Sequence, residues 1–169
     1  MADFFTSKEW LEAVDIVKTE VPLAIWETLY VTLISTLIAL VIGLPLGVLL
    51  AVGDKDGIVP LPAPLRHFLN ILINLLRSVP FLILIVVVAP LTRLIIGKAF
   101  GTAASIVPLV IAAFPFMARL VESSVREVNP NIIEMAQSTG ASPLQIITKV
   151  LIPESVPSLI SNKIGRAHV

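Results

Sequence analysis

The feature that most constrains this chain is the stretch 23–52, which holds one charged side chain, Glu27. About 20 apolar residues in a helix cross the hydrocarbon core of a bilayer, so this stretch can cross it with tilt. Of the 169 residues, 56% are hydrophobic and 14% are charged, whereas about a quarter of the residues in soluble domains are charged. A soluble fold of this length could not bury so much apolar surface. The sequence therefore predicts an all-α, polytopic helical membrane protein.

Two shorter apolar segments, 68–89 and 103–118, bring the predicted transmembrane helices to three. The segment 53–67, GDKDGIVPLPAPLRH, has the proline and glycine content of a loop. A fourth span would start near Val156, but few apolar residues follow before the chain ends in IGRAHV. We expect a truncated reading frame with a non-native tail at 164–169; the alternative is a genuine short basic tail.

The end of the first span contains Gly43, Pro45 and Gly47. We expect these residues to interrupt the helix, and neighbouring helices must then satisfy the backbone groups that they free. Small side chains also let two helices approach closely. The pattern therefore predicts that the first span packs within a bundle.

Residues 1–22 combine acidic and apolar side chains. Thr6 and Glu9 have the spacing of a capping box, and apolar residues then recur at helical spacing up to Pro22. The pattern predicts an amphipathic helix at the membrane surface that ends near Pro22. Because an anionic cytoplasmic leaflet repels acidic groups, we expect the N-terminus to lie outside.

Composition argues against several classes of function. The formal net charge is zero, which gives no attraction to nucleic acid, and there are no cysteines for thiol catalysis or zinc-thiolate sites. His67 and His168 lie far apart in sequence, and we expect neither to bind a metal. No G-x-x-x-x-G-K-[ST] phosphate loop is present. We therefore predict no catalytic residues, no metal and no cofactor, and an activity that requires energy would have to draw it from another subunit or an ion gradient.

The stretch 134–154, EMAQSTGASPLQIITKVLIPE, interrupts the apolar sequence and is predicted to contain two compact helices. The first helix comes before Gly140. Asn129 and Asn131 are good helix caps ahead of this helix. Gly140 suits the left-handed residue that follows its end. The first helix is therefore predicted to be short and sharply bounded.

The second helix of the pair has its own start and stop signals. Ser142 suits the cap, Pro143 the first helical position, and Gln145 the third position of a capping box. Pro153 is expected to end the helix. Since the pair is too short to span a membrane, we expect it to lie at the membrane surface and fit another surface.

The spacing EMAQSTG, nine residues, VLIP resembles the EAA loop of permease subunits in binding-protein-dependent ABC importers. That pattern is roughly Glu-Ala-Ala, three residues, glycine, nine residues, and Ile-x-Leu-Pro. Met135 replaces an alanine of the pattern, and Val150 and Ile152 are conservative replacements. The stretches RSVPFLILIVVVAPLTRLIIG and AASIVPLVIAAFPFMARLVESSVREV look closest to the D/L-methionine importer permeases. The matching residues are Glu134, Ala136, Gly140 and Pro153.

The resemblance implies a place and partners for the chain. It implies a multi-pass protein of the bacterial inner membrane with five spans in the complete subunit, three of them present here, and an outside N-terminus. It implies a permease homodimer in the lipid bilayer, a cytoplasmic ABC ATPase and an extracytoplasmic substrate-binding protein. The coupling helices would lie within 130–153. The residues implied to couple to the ATPase are Glu134, Met135, Ala136, Gly140, Pro143, Ile152 and Pro153.

Polar residues also occur within the predicted spans. Asn70, Asn74 and Arg77 fall on one helical face, and polar groups inside a membrane are candidates for a solute path. The alternative is that the first half of the second predicted span lies near the cytoplasmic interface, where the Arg77 side chain extends to lipid phosphates. Arg119 and Glu122 have the spacing of an ion pair.

The leading hypothesis is a transmembrane permease subunit of an ABC importer for methionine, which couples ATP hydrolysis in a partner to solute translocation. The alternatives are a permease for another amino acid and a membrane scaffold that transports nothing. An ion-coupled secondary transporter would show paired repeats. An intramembrane protease would need a Ser/His or paired-Asp arrangement in its spans, and the sequence has neither feature.

Overall fold

A computed structural model of the protein describes residues 8–55 and 57–161. Within these ranges all regular secondary structure is helical, which confirms the predicted all-α class. Parts of the predicted N-terminal helix and the whole predicted tail lie outside the described residues. In chain order the elements are α1 (Lys8–Val52), α2 (Ala63–Ser78), α3 (Phe81–Ile96), α4 (Ile106–Arg126), α5 (Pro130–Ser138), α6 (Pro143–Ile146), a π-helical turn (Ile147–Leu151) and α7 (Ile152–Ser161).

The described helices supply up to three membrane crossings. Two segments, Val14–Val52 of α1 and the whole of α4, are long and apolar enough to cross. The bent pair α2 and α3 is a third candidate if it counts as one span. The chain is therefore a polytopic helical membrane protein, as the sequence predicts.

The first helix is longer than the sequence predicts. α1 continues through Pro22 and Pro45 to Val52, so the predicted helix end near Pro22 and the predicted interruption at 43–47 are both wrong. A proline costs a helix one backbone hydrogen bond and a local bend. A long helix absorbs that cost when helix-forming residues continue on both sides of the ring.

Gly43 and Gly47 bring α1 into close contact with α4. A Cβ on Gly47 would lie 2.4 Å from the Ala118 carbonyl oxygen and 2.7 Å from the Val121 Cβ, and one on Gly43 would lie 2.7 Å from the Met117 Cβ. Only a residue without a side chain permits such an approach. The predicted close packing is thus confirmed, and α4 is the helix against which α1, α2, α3 and α7 pack.

The main core lies at the end of the bundle where α1, α4 and the segment 130–161 meet. A smaller cluster of Leu50, Ile73 and Ala118 attaches α2 to α1 and α4. The buried residues of the main core are Val48, Val52, Val121, Val125, Val128, Ile146 and Leu151.

The predicted second span, 68–89, is two helices joined by a sharp elbow. α2 and α3 are bent by 114° relative to each other. Pro80 causes the break because it has no N–H and holds Val79 in an extended conformation, with φ −77° and ψ 125°. The single predicted segment is therefore corrected to two helices, which together extend farther in both directions.

The sequence-based boundary of the third span, at Ala118, lies too early in the chain. α4 continues past Ala118 for about two turns, to Arg126. Val121 and Val125 are buried on one face of this extension, while charged side chains pair with one another on the other. The polar sequence after Ala118 is therefore an amphipathic end of α4.

Candidate functional site

Short-range hydrogen bonds fix both ends of α5. The Asn129 side chain accepts a bond from the Asn131 N–H at 3.0 Å, so Asn129 is the cap, and the prediction that Asn131 also caps the helix is wrong. At the other end Gly140 has φ 79°, and the Ala141 N–H donates to the Ala136 carbonyl at 3.1 Å. This arrangement is a Schellman motif, and it confirms the predicted left-handed glycine.

The start of α6 is a complete capping box. The Gln145 N–H donates to the Ser142 hydroxyl at 3.4 Å, and the Ser142 N–H donates to the Gln145 side-chain oxygen at 2.9 Å. Pro143 occupies the first helical position, where its missing N–H costs nothing. The direction in which α6 leaves the turn is therefore set locally, as predicted.

The predicted helix end at Pro153 is wrong. The chain passes from α6 through the π-helical turn into α7, and the Ile152 N–H donates to the Ile147 carbonyl. In a regular α-helix the Pro153 ring would clash with the Lys149 carbonyl and leave it without a donor. A wider turn just before the proline relieves that conflict, so the helix continues.

The two halves of the segment 130–161 are anchored differently. α5 buries no residue and reaches the core through partly buried side chains such as Ile133. In the second half, Ile146, Leu151 and Ser155 are 1%, 2% and 2% exposed. The first two belong to the core shared with α1 and α4, so α6 and the π-helical turn are packed directly against the long helices.

The exposed side chains of the same segment include apolar and acidic groups. Met135 and Leu144 are 65% and 70% exposed, and Glu134, in the middle of α5, is also exposed. Over the ranges 8–55 and 57–161 the Glu134 carboxylate has no hydrogen bond or ion pair. We call Glu134, Met135 and Leu144 the docking surface. Of the other residues that the sequence singles out here, Gly140, Pro143 and Pro153 are exposed and Ala136 and Ile152 are partly buried.

A cleft of about 330 Å³ separates α5 from the end of α1. Three polar side chains, Arg126, Glu134 and Gln137, line it together with apolar groups that include Val52 and Ile58. The cleft leaves one side of α5 without packing, which explains why that helix buries none of its residues.

Two of the three predicted solute-path residues bind an arginine of α4. The Arg119 guanidinium donates to the side-chain oxygens of Asn70, at 2.8 Å, and Asn74, at 3.1 Å. Arg77 is exposed at the end of α2, and in the part of the chain that the structure describes its guanidinium has no partner. The structure thus brings Asn70 and Asn74 together with Arg119, and places Arg77 apart from them.

Arg119 begins a row of paired charges, which we call the ion network: Arg119, Glu122, Arg126, Asp54 and Arg66. Glu122 accepts from Arg119 at 2.6 Å and from Arg126 at 3.0 Å, so the predicted Arg119–Glu122 pair is confirmed. Arg126 also donates to Asp54 at 2.8 Å, and Asp54 accepts from Arg66 at 3.2 Å. Sequence reasoning missed Asp54, Arg66 and Arg126, although the spacing of Glu122 and Arg126 is that of a helical ion pair.

The Asp54 carboxylate is held in its charged form. The Lys55 backbone N–H, at 2.8 Å, and then the Arg126 guanidinium lower the pKa of Asp54 below its ordinary value of 3.8. Hydrogen bonds and positive charge both favour the ionised carboxylate. Asp54 is therefore an anion over the whole neutral range.

The comparisons with known proteins identify the family of the chain. Residues 43–164 match the family described as "Binding-protein-dependent transport system inner membrane component". Since the match covers more than half of the chain, the protein belongs to this family of transport-system membrane components. Together with its apolar helices, this makes it a multi-pass membrane protein.

Two relatives from different bacteria both have methionine permease names. The chain is 44% identical over 137 residues to the D-methionine transport system permease protein MetI of Escherichia coli, covering 81% of this chain and 63% of that protein. It is 51% identical over 143 residues to the methionine import system permease protein MetP of Bacillus subtilis, covering 85% and 64%. The chain thus spans less than two thirds of these relatives' lengths.

Solved structures show the same fold. A chain of the MetNI methionine ABC transporter, in an inward-facing conformation, superposes with a TM-score of 0.77 at 43% identity, over 81% of this chain and 63% of that one. A chain of an amino acid ABC transporter crystallised with histidines has a TM-score of 0.59 at 20% identity. The second likeness concerns the fold alone.

Proposed function

We propose that this chain is the transmembrane permease subunit of an ABC importer for methionine, and that it couples ATP hydrolysis in a partner to solute translocation. The docking surface carries the proposal, because it combines exposed Met135 and Leu144 with an unpaired Glu134 carboxylate on a capped helix pair. The methionine-specific names of relatives 44% and 51% identical to the chain support the solute class.

The partner is a cytoplasmic ABC ATPase with a groove that receives α5 and α6. Burial of Met135 and Leu144 in that groove removes apolar surface from water, and Glu134 meets donors at its wall. Closure of the ATPase displaces α6. Because Ile146 and Leu151 pack in the core with α1 and α4, and close-packed interiors transmit displacement, the long helices move with α6.

The other predicted coupling residues set the shape of the docking surface. Gly140 fixes the angle between α5 and α6, and Pro143 starts α6. Ala136 is small and lies partly buried against the main core. We call α5, the turn after it and α6 (130–146) the coupling segment. Ile152 and Pro153 begin α7, which the π-helical turn joins to the coupling segment.

The remaining partners lie in the membrane and beyond it. Apolar side chains such as Leu33, Leu82 and Leu94 are 68%, 78% and 82% exposed, so they require lipid or protein around them. We assign this surface to the bilayer and to a second permease copy. The N-terminus lies outside, and an extracytoplasmic substrate-binding protein delivers methionine there.

Co-purification tests the ATPase assignment. The chain is expressed with the ABC ATPase of its own cell, and the ATPase retained on the tagged chain is measured. Glu134→Lys should reduce the retained ATPase at least tenfold, whereas Glu20→Lys, an equal charge reversal at an exposed site on α1, should leave it unchanged. Failure of the unaltered chain to retain the ATPase would favour a membrane scaffold.

Uptake of radiolabelled methionine tests the solute. Cells that express the gene from its own locus should lose methionine uptake when the gene carries Glu134→Lys. Unlabelled methionine should compete with the label, and other amino acids should not. Competition by a different amino acid instead would identify the chain as a permease for that solute.

Thiol labelling tests the orientation, because the sequence has no cysteine of its own. Ile16→Cys and Leu144→Cys place single thiols at positions 57% and 70% exposed. A membrane-impermeant reagent should label residue 16 in intact cells and residue 144 only after permeabilisation. The reverse pattern would place the N-terminus inside.

A further inference from the structure

We propose that Glu122 is a positioning residue. Through Arg119 and Arg126 it holds α2 and the loop after α1 in fixed positions on α4, so that motion of the coupling segment reaches the elbow between α2 and α3. The inference rests on the proposed function, since it names the path by which the coupling motion passes to α2.

Glu122 is the centre of the ion network. Its side chain is 9% exposed, and its two oxygens are shared between Arg119, at 2.6 Å, and Arg126, at 3.0 Å. A carboxylate so little exposed is stable only with such partners. Loss of its charge would therefore release both arginines from their present geometry.

The bonds toward α2 matter because that helix has little other anchoring. Ile73 is the one buried residue of α2, and it packs against Leu50 and Ala118. This one small cluster, to which partly buried Leu69 also belongs, leaves the helix free to rotate about it. The bonds from Arg119 to Asn70 and Asn74 lie on either side of Ile73 in sequence, and they fix the rotation.

The bonds in the other direction run toward the coupling segment and end beside it. Arg126 binds Asp54 in the loop after α1, and Asp54 binds Arg66 near the start of α2. Arg126 also lines the cleft that holds Glu134 and Gln137 of α5. The next residue along, Glu127, accepts a hydrogen bond from Ser158 of α7. The network therefore begins beside the coupling segment and ends on α2.

Distances between spin labels test the inference, because the chain has no natural cysteine. One label pair joins α2 to the coupling segment, with Leu75→Cys and Leu144→Cys. A second pair joins α4 to it, with Phe116→Cys and Leu144→Cys. Leu75 is 59% exposed, Leu144 is 70% exposed and Phe116 is 54% exposed, so all three positions can carry a label. Both pairs are measured in the full chain in lipid nanodiscs, without the ATPase.

Glu122→Gln should broaden the distance distribution between residues 75 and 144 by a few ångströms and leave that between 116 and 144 unchanged. Glu20→Gln, the same substitution at an exposed site on α1, should change neither. Arg119→Lys, which keeps the charge but loses the planar fork, should reproduce the selective broadening if Glu122→Gln does not fold. Equal broadening of both distributions, or no change in either, would overturn the proposal.

A transport measurement separates this inference from the proposed function. In the assembled importer, Glu122→Gln should leave ATPase retention unchanged and raise the number of ATP molecules hydrolysed per methionine several-fold. If the unaltered chain retains no ATPase, the proposed function fails, while the label distances still decide whether Glu122 positions α2. An unchanged ratio in an importer that retains the ATPase would overturn the role of Glu122 in coupling.

Discussion

Gly47 of α1 lies directly against the backbone of Ala118 in α4. A Cβ on Gly47 would come within 2.4 Å of the Ala118 carbonyl oxygen. Since Ala118 is 0% exposed, neither helix can yield there without disturbing the core. This contact therefore determines how closely the two longest helices of the bundle pack.

Gly47→Val should destabilise the fold strongly. The new side chain would meet a backbone oxygen and the Val121 Cβ, and overpacking of this kind costs about 1–3 kcal/mol or more. Thermal unfolding in detergent, followed by tryptophan fluorescence, measures the effect. The control is Ala24→Val, which adds a similar side chain at an exposed position of the same helix. Equal losses in both variants would contradict the close packing.

Gly140→Val should strain the turn between α5 and α6. Nothing lies within 4 Å of a Cβ at this position, so the cost comes from the positive φ of 79° and amounts to about 1–2 kcal/mol. Gly140→Asn should be tolerated better, because asparagine adopts this conformation more readily than valine.

Gly97 provides a matched control for Gly140. It has φ 82° and equally open surroundings, so Gly97→Val should lose a similar amount of stability. Only Gly140→Val should also reduce the ATPase that co-purifies with the chain. Equal losses of ATPase from the two variants would show that general instability, and not the turn angle, controls docking.

Ser142→Ala should loosen the start of α6. The variant loses the hydroxyl that accepts the Gln145 N–H, and removal of such a cap costs about 1 kcal/mol. Hydrogen exchange should accelerate in the first turn of α6 and remain unchanged in α5. Ser138→Ala is the control, because the Ser138 hydroxyl donates to a carbonyl of its own helix and caps nothing. Slow exchange at α6 in Ser142→Ala would indicate that tertiary packing alone fixes the turn.

Asp54 should make stability depend on pH in the acid range. Its pKa is lowered from 3.8 in the folded chain by the Lys55 N–H and by Arg126, so ionised Asp54 stabilises the fold above that value. The contribution disappears as the pH falls through the lowered pKa.

Comparison of the unaltered chain with Asp54→Asn isolates this contribution. The unaltered chain should unfold at a higher temperature than Asp54→Asn at pH 7, and the difference should shrink steadily as the pH is lowered below about 4. Thermal unfolding over this range measures it. A difference that stays constant down to pH 3 would mean that Asp54 acts through its shape and not its charge.

The sequence predicted the features that depend on neighbouring residues. The capping box of Ser142 and the left-handed Gly140 were predictable because each is completed within five residues along the chain. The Arg119–Glu122 pair is local in the same sense. Local hydrogen bonds and short ion pairs need no knowledge of the fold.

Prolines show where local reasoning fails. Pro80 breaks a helix, whereas Pro22, Pro45 and Pro153 lie within continuous helical structure. Each proline removes the same N–H, so its outcome depends on whether the surroundings favour a continuous helix. At Pro153 burial of Leu151 and Ser155 holds the chain on both sides of the ring, and the π-helical turn supplies the extra width.

By itself, the sequence determined the helical class, the apolar lengths that suit a membrane, and the capped helix pair that carries the docking surface. Each of these follows from composition or from contacts between near neighbours in the chain. Only the tertiary structure decided that Arg126 binds Asp54, 72 residues away, and that Asn70 and Asn74 bind Arg119. The physical reason is that these partners lie far apart in the chain, and the packing of α2 and α1 on α4 determines which polar side chains lie within reach of each other.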